Sequence, residues 1–238
     1  MNKFHTPFRL VIFAGAVILT LPAGNALAQQ AVPDTIAQRT LACAACHGKQ
    51  GVATSEGYFP RIAGKPSGYL YNQLVNFREG RRTYAQMTYM VDHLSDPYLK
   101  EIADYFAGLQ LPYPAPEVVN IDAALMQRGR QLVLNGDPAK NVPGCASCHG
   151  QALTGVTPSI PGLLGLPRDY LNGELGAWRS KSRRAMAPDC MAEVVARLDS
   201  QDIPAVTAWL ASQPVPLAGA PVSALPERLP LACGSVAK

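Results

Sequence analysis

Apolar residues recur at helical spacing along most of this chain. Leu70, Leu74 and Phe77 fall at i, i+4 and i+7, which places them on one face of a helix. Ser67 is positioned to cap that helix and Gly80 to end it. Leu99, Ile102, Ala103 and Phe106 form a second such face, with Ser95 as its expected N-cap. Ile203, Val206 and Leu210 form a third, opened by Asp199. No stretch sustains the alternation of a strand, so the pattern predicts an all-α fold.

The pattern also repeats, at an interval of about 102 residues. Cys43-Ala44-Ala45-Cys46-His47-Gly48 returns as Cys145-Ala146-Ser147-Cys148-His149-Gly150. Pro60 to Pro66 returns more loosely as Pro161 to Pro167. Tyr69, Leu70, Leu74 and Phe77 return as Tyr170, Leu171, Leu175 and Trp178. Tyr105-Phe106-Ala107 is matched by Trp209-Leu210-Ala211. The order is the same throughout, which predicts two tandem units, 29–112 and 118–213. A stiff Pro-rich linker at 113–117 joins them, and a Pro-rich tail at 214–238 follows. Each unit is short and rich in glycine and proline. Its core is thin, and something other than side chains is expected to fill the centre.

The N-terminus has a pattern of its own. Lys3 and Arg9 precede a twelve-residue apolar run, Leu10 to Leu21, and Ala26-Leu27-Ala28 supplies the small residues a signal peptidase reads. Residues 1–28 are read as a secretory signal cleaved after Ala28, the run being short for a membrane anchor. Export places the chain in a compartment where disulfides persist.

Composition narrows the class further. Of 238 residues, 48% are hydrophobic and 16% charged, too apolar for a disordered chain. The net charge of +4 falls by two once Lys3 and Arg9 are removed. That is too mild to argue for nucleic acid.

The chemistry lies in the cysteines. Cys-x-x-Cys-His is the attachment pattern for c-type haem. Residues three apart share a helix face, so two sulfurs reach two vinyl groups while the adjacent histidine turns to the iron. Cys43, Cys46, Cys145 and Cys148 are therefore assigned to two covalent haem c groups, with His47 and His149 as proximal ligands. Zinc knuckles fit the 102-residue gap and the adjoining histidines poorly. A thioredoxin-type pair lacks its βαβ context.

A methionine on the far side closes the iron and raises its potential. Met87 and Met90 are available in the first unit, Met186 and Met191 in the second. Met87 lies seven residues before Leu94 and Met191 seven before Leu198, so the repeat selects Met87 and Met191. Cys190 and Cys233 are candidates for a disulfide that pins the tail. The alternative makes Cys190 a thiolate ligand of the second iron. His93 reads as a surface residue.

Cys43 to Gly48, Pro60 to Pro66, Tyr69-Leu70, Gln73-Leu74, Phe77 to Arg82 and Met87 to Ser95 resemble the dihaem cytochrome c4 family. So does the duplicated layout. The resemblance implies two class I cytochrome c domains, each wrapped around one haem with His/Met iron, in the bacterial periplasm. It implies single-electron transfer from a membrane dehydrogenase or quinol-oxidising complex to a terminal oxidase. The expected molecule is a monomeric carrier rather than an enzyme, meeting the membrane only through its partners. A cytochrome subunit of a dehydrogenase is the alternative, as is a dihaem peroxidase or thiosulfate-oxidising enzyme should the second iron lack methionine. The second unit departs from the family in its loose 161–167 match, its added Cys190 and its tail.

Overall fold

Ten helices follow one another along the computed structural model, which describes residues 32–54, 58–217 and 219–236. They are α1 (Ile36–Arg39), α2 (Leu41–His47), α3 (Ser67–Arg78), α4 (Ala85–Val91), α5 (Asp96–Ala107), α6 (Ala123–Leu134), α7 (Cys145–His149), α8 (Arg168–Arg179), α9 (Cys190–Arg197) and α10 (Asp202–Ala211). The predicted export signal and its cleavage after Ala28 lie outside the described residues. Beyond Pro33 the chain packs as one compact unit. Among the described residues no helix is long and apolar enough to cross a membrane.

Within that unit the apolar cores stay inside the two halves. In the first, α3 packs on α5, with α1 against α5 and α4 against α3. Leu70, Ile102, Ala103 and Phe106 form one buried cluster, and Phe77, Val91 and Leu99 another. In the second, α10 packs on α6 and α8, and α9 on α8. Leu132, Val133, Leu171, Ile203, Val206 and Leu210 are among the residues buried there.

The predicted apolar faces are the buried faces, but two capping expectations are corrected. Ser67 is the first residue of α3 rather than its cap. Its hydroxyl donates to the Asp104 carboxylate instead, so a neighbouring acceptor on α5 competes successfully for it. Ser95 does occupy the N-cap of α5, without a side-chain bond. Asp199 lies ahead of α10, and its Oδ1 accepts from the backbone N–H groups of Gln201 and Asp202, both at 2.9 Å.

Helix α6 was not anticipated. Gly129, in its middle, reads as a weak point, yet a Cβ there would lie 2.1 Å from the Ala205 carbonyl of α10. The glycine is what lets α6 and α10 meet backbone to backbone. At the start of α10, Asp202 is 1% exposed and bound by Arg128 at 2.8 Å and Lys140 at 2.8 Å. Burial alone would raise its carboxyl. These two cations outweigh that and hold it down to about 2. Two strand pairs of two residues each also appear, Gly136–Asp137 with Val142–Pro143 and Gly155–Val156 with Ile160–Pro161, both antiparallel. They are too short to show an alternation in sequence.

Residues 109–122 carry no regular secondary structure, and Arg61 anchors the chain there. Arg61 is 2% exposed and donates to the carbonyls of Ala63 (3.1 Å), Leu111 (2.6 Å) and Pro112 (2.8 Å). Its guanidinium also lies 4.0 Å from the Tyr113 ring centroid.

The halves meet through residues that are partners in the repeat. Arg82 and Arg183 form an antiparallel bridge. Thr83 N donates to Ser182 O at 2.8 Å and Arg184 N to Arg81 O at 2.6 Å. Both arginines pair with Glu174 and both donate to Gln73 Oε1 (3.2 Å from Arg82, 3.0 Å from Arg183). Gln73 and Glu174 occupy equivalent places in the two halves, so the contact has the self-complementary form of a two-fold interface.

Candidate haem-binding site

Each Cys-x-x-Cys-His pattern closes a short helix, α2 in the first half and α7 in the second. The glycine after each histidine turns the chain at positive φ, +74° at Gly48 and +86° at Gly150. At Gly48 a Cβ would lie 2.2 Å from the Ala53 carbonyl, so the loop can fold back only over a glycine. That return brings Pro60 and Pro161 to the histidines. His47 Nδ1 donates to Pro60 O at 2.9 Å and His149 Nδ1 to Pro161 O at 2.8 Å.

The carbonyl fixes the tautomer. An oxygen can only accept, so Nδ1 carries the proton and Nε2 keeps its lone pair. Burial pushes both imidazoles below their ordinary pKa, which keeps them neutral. A neutral imidazole with an oriented, free Nε2 is what an iron requires.

Both motifs line one continuous cavity of about 1350 Å³. It exceeds the roughly 300–1,000 Å³ of an ordinary small-molecule pocket. Cys43, Cys46, Cys145 and Cys148 are all free thiols and all reach its wall. Burial raises the thiols of Cys43 and Cys148 and pushes that of Cys145 up to about 12. Burial thus favours the neutral thiol at Cys43, Cys145 and Cys148. Among the described residues no cluster of three or more metal-ligating side chains is present. Large apolar volume, paired thiols and a lone oriented imidazole in each half fit porphyrin iron.

Of the four candidate methionines, Met87, Met90 and Met191 line the cavity and Met186 does not. Met186 is 46% exposed and Met90 42%. Met87 packs against the cluster of Phe77, Val91 and Leu99. Met191 is the second residue of α9, next to Cys190, whose sulfur is bonded to Cys233. That bond removes Cys190 as a thiolate ligand. The His93 side chain is 92% exposed.

Sequence reasoning missed one group at the cavity, Lys65. It is 5% exposed, and its Nζ donates to Gly162 O of the other half at 3.0 Å. Burial, with Arg61 adding to it, pulls its amine down to about 7. Its repeat partner is Leu166, so pattern alone marks the position as apolar.

The comparisons agree with this geometry. A family model described as "Cytochrome c" matches residues 126–214. The chain is 34% identical to the thiosulfate dehydrogenase electron acceptor of Thiomonas intermedia (strain K12), over 90% of this chain and 95% of the relative. It is 31% identical to cytochrome c4 of Pseudomonas aeruginosa, over 88% of this chain and 98% of the relative. Among solved structures, reduced recombinant cytochrome c4 from Pseudomonas stutzeri superposes with a TM-score of 0.62 at 28% identity. It covers 74% of this chain and 96% of its own.

Proposed function

The chain belongs to the cytochrome c4 family of dihaem c-type cytochromes, and on that footing we propose that it is an exported carrier that takes single electrons from a dehydrogenase. It is an electron-transfer protein that carries haem c. The observation that supports the finer reading is the single cavity lined by both Cys-x-x-Cys-His motifs, with each imidazole held through Nδ1 by a prolyl carbonyl.

Residues 29–112 hold one haem and residues 118–213 the other. Cys43 and Cys46 form the thioethers of the first, Cys145 and Cys148 those of the second. His47 and Met87 ligate the first iron, His149 and Met191 the second. Bound haem supplies a one-electron couple at its iron, which the protein tunes. The chain's own work is orientation and exclusion. Pro60 and Pro161 hold the imidazole rings, and the apolar walls keep water from the centre, which favours the less charged, reduced state. Met87 and Met191 add a soft sulfur donor, which favours reduced iron further. With Met87 and Met191 as distal donors, neither haem would offer an open position for substrate, and the protein would pass electrons rather than transform a molecule.

The compartment is the periplasm, reached after removal of residues 1–28. The donor is a thiosulfate dehydrogenase, a reading supported by the name of the Thiomonas relative. The acceptor is a terminal oxidase or another oxidised respiratory protein. Mass spectrometry of the mature chain together with an optical redox titration tests the carrier reading. Two haems and two one-electron steps are expected, and a mass equal to the bare polypeptide defeats it. Mixing the oxidised protein with a thiosulfate dehydrogenase and thiosulfate tests the donor. Both haems should reduce; haems that stay oxidised there, yet reduce with dithionite, reject thiosulfate dehydrogenase while leaving the carrier intact.

A further inference from the structure

Among its described residues the tail after Ser212 forms no helix, yet it is tied down at several points. Val222 N donates to Gly155 O at 3.0 Å, and Val222 O accepts from Thr157 N at 2.9 Å. Further on, Cys233 is bonded to Cys190 and Gly234 N donates to Pro188 O at 2.9 Å. Asn72 Nδ2, from α3 in the other half, donates to Ser235 O at 3.0 Å. Leu229, Leu231, Cys233, Ser235 and Val236 all line the cavity. The tail is therefore a strap that completes the cavity wall.

Its tightest contact falls on the segment leading into Met191. A Cβ on Gly234 would lie 2.2 Å from the Ala187 carbonyl oxygen and 2.7 Å from that of Met186. That segment has little else to hold it. No residue between Arg183 and Val195 is buried. Asp189 closes the turn locally, accepting from Ala185 N at 2.7 Å and Ala192 N at 3.0 Å. The first half solves the same problem by packing. There Val91 is 3% exposed, Met87 sits against Phe77, Val91 and Leu99, and Thr88 donates to Phe77 O at 3.2 Å. The second half has a covalent strap where the first has a core.

We propose that the strap, through the Cys190–Cys233 bond and the Gly234 contact, positions Met191 on the cavity and so keeps the distal side of the second iron closed to outside ligands. This rests on Met191 being the ligand proposed above. Cys190, Cys233 and Gly234 act through Met191 and are positioning residues.

The test uses the full-length holoprotein with both haems counted by mass. In the ferric state, the charge-transfer band of thioether-bound iron is measured, then imidazole is titrated in as the probe. Cys190→Ala/Cys233→Ala should lose half the band intensity. It should bind one imidazole per chain at concentrations that leave the wild type unchanged. Gly234→Val keeps the disulfide but forces the strap off residues 186–188, and should shift both readouts the same way; it decides the matter if the double variant does not mature. Full band intensity and no imidazole uptake in the variants that assemble would overturn the proposal. Met191→Ala, run in parallel, separates the two readings. If it leaves the whole band, the ligand assignment has failed. If it removes half the band while the strap variants remove none, only the strap proposal falls.

Discussion

A methionine sulfur can serve an iron only if its own backbone keeps it facing the cavity, and the two halves differ in how they do this. Met87 sits one turn before Val91 on α4, and Val91 is held at 3% exposure against Phe77 and Leu99. Met90, on the same helix, also reaches the cavity but is 42% exposed. Met87→Ala should abolish the charge-transfer band of the first haem and lower its potential, because loss of the thioether removes the donor that favours reduced iron. Met90→Ala should leave both unchanged. Optical redox titration of the two variants checks the pair, and the reverse outcome moves the ligand to Met90. The cysteines and histidines were readable because covalent attachment demands a fixed spacing, which leaves a literal string in the chain. The choice of Met87 and Met191 rested only on the repeat, since a thioether is also ordinary core filling. Lys65 was not readable at all. Its partner, Gly162 O, lies in the other half, and nothing local marks a lysine as buried.

At the scale of elements, amphipathic spacing recovered α3 and α5 because each buries one stripe against a partner, and it recovered α10 through Ile203, Val206 and Leu210 although that helix is buried on nearly every side between α6 and α8. It failed at α6 for a definite reason. A helix that approaches its neighbour through a glycine loses, at that position, the apolar side chain by which a buried face is recognised. Gly129 is such a residue, and its environment makes a sharp prediction. Gly129→Ala would gain helix propensity of about 1 kcal/mol in an exposed helix. Here its methyl would meet the Ala205 carbonyl carbon at 2.6 Å and the Trp209 Cβ at 3.0 Å as well as the carbonyl oxygen. Backbone cannot yield as a flexible side chain does, so α6 and α10 must separate. The variant should be destabilised by roughly 1–3 kcal/mol despite the better propensity. Denaturant unfolding of the holoprotein measures this, and a stabilised variant would show that the two helices part at no cost. The tail's disulfide was legible from export and cysteine count, whereas the strap's passage along the cavity depends on contacts with Pro188 and Asn72 that leave no periodic trace.

For the whole molecule the decisive feature is the junction between the halves, and its charges are unequal. Arg82 and Arg183 are repeat partners, with side chains 12% and 5% exposed. A strict two-fold would give each the same counter-residue. Instead Gln73 stands on one side and Glu174, at 18% exposure, on the other, so one carboxylate serves two guanidinium groups. Burial lowers the pKa of Arg183, with Arg82 adding to it, which marks a cation held at a cost that Glu174 offsets. In sequence these residues look like ordinary solvated charges, because the partner that buries them is about a hundred residues away. Glu174→Gln keeps the shape and one acceptor but removes the charge, leaving two buried cations facing each other. Breaking such a pair from one side costs on the order of 3 kcal/mol. The cost falls on the junction rather than on the core of either half, since Glu174 belongs to none of the three apolar clusters. The two halves should therefore uncouple before they unfold. Calorimetry of the holoprotein should change from one transition to two, the haem spectra surviving the first. Gln73→Glu, which supplies the carboxylate the two-fold lacks, should restore a single transition in the Glu174→Gln background. A single, unshifted transition in Glu174→Gln would mean that the apolar and backbone contacts across the junction hold the halves together without the ion pairs.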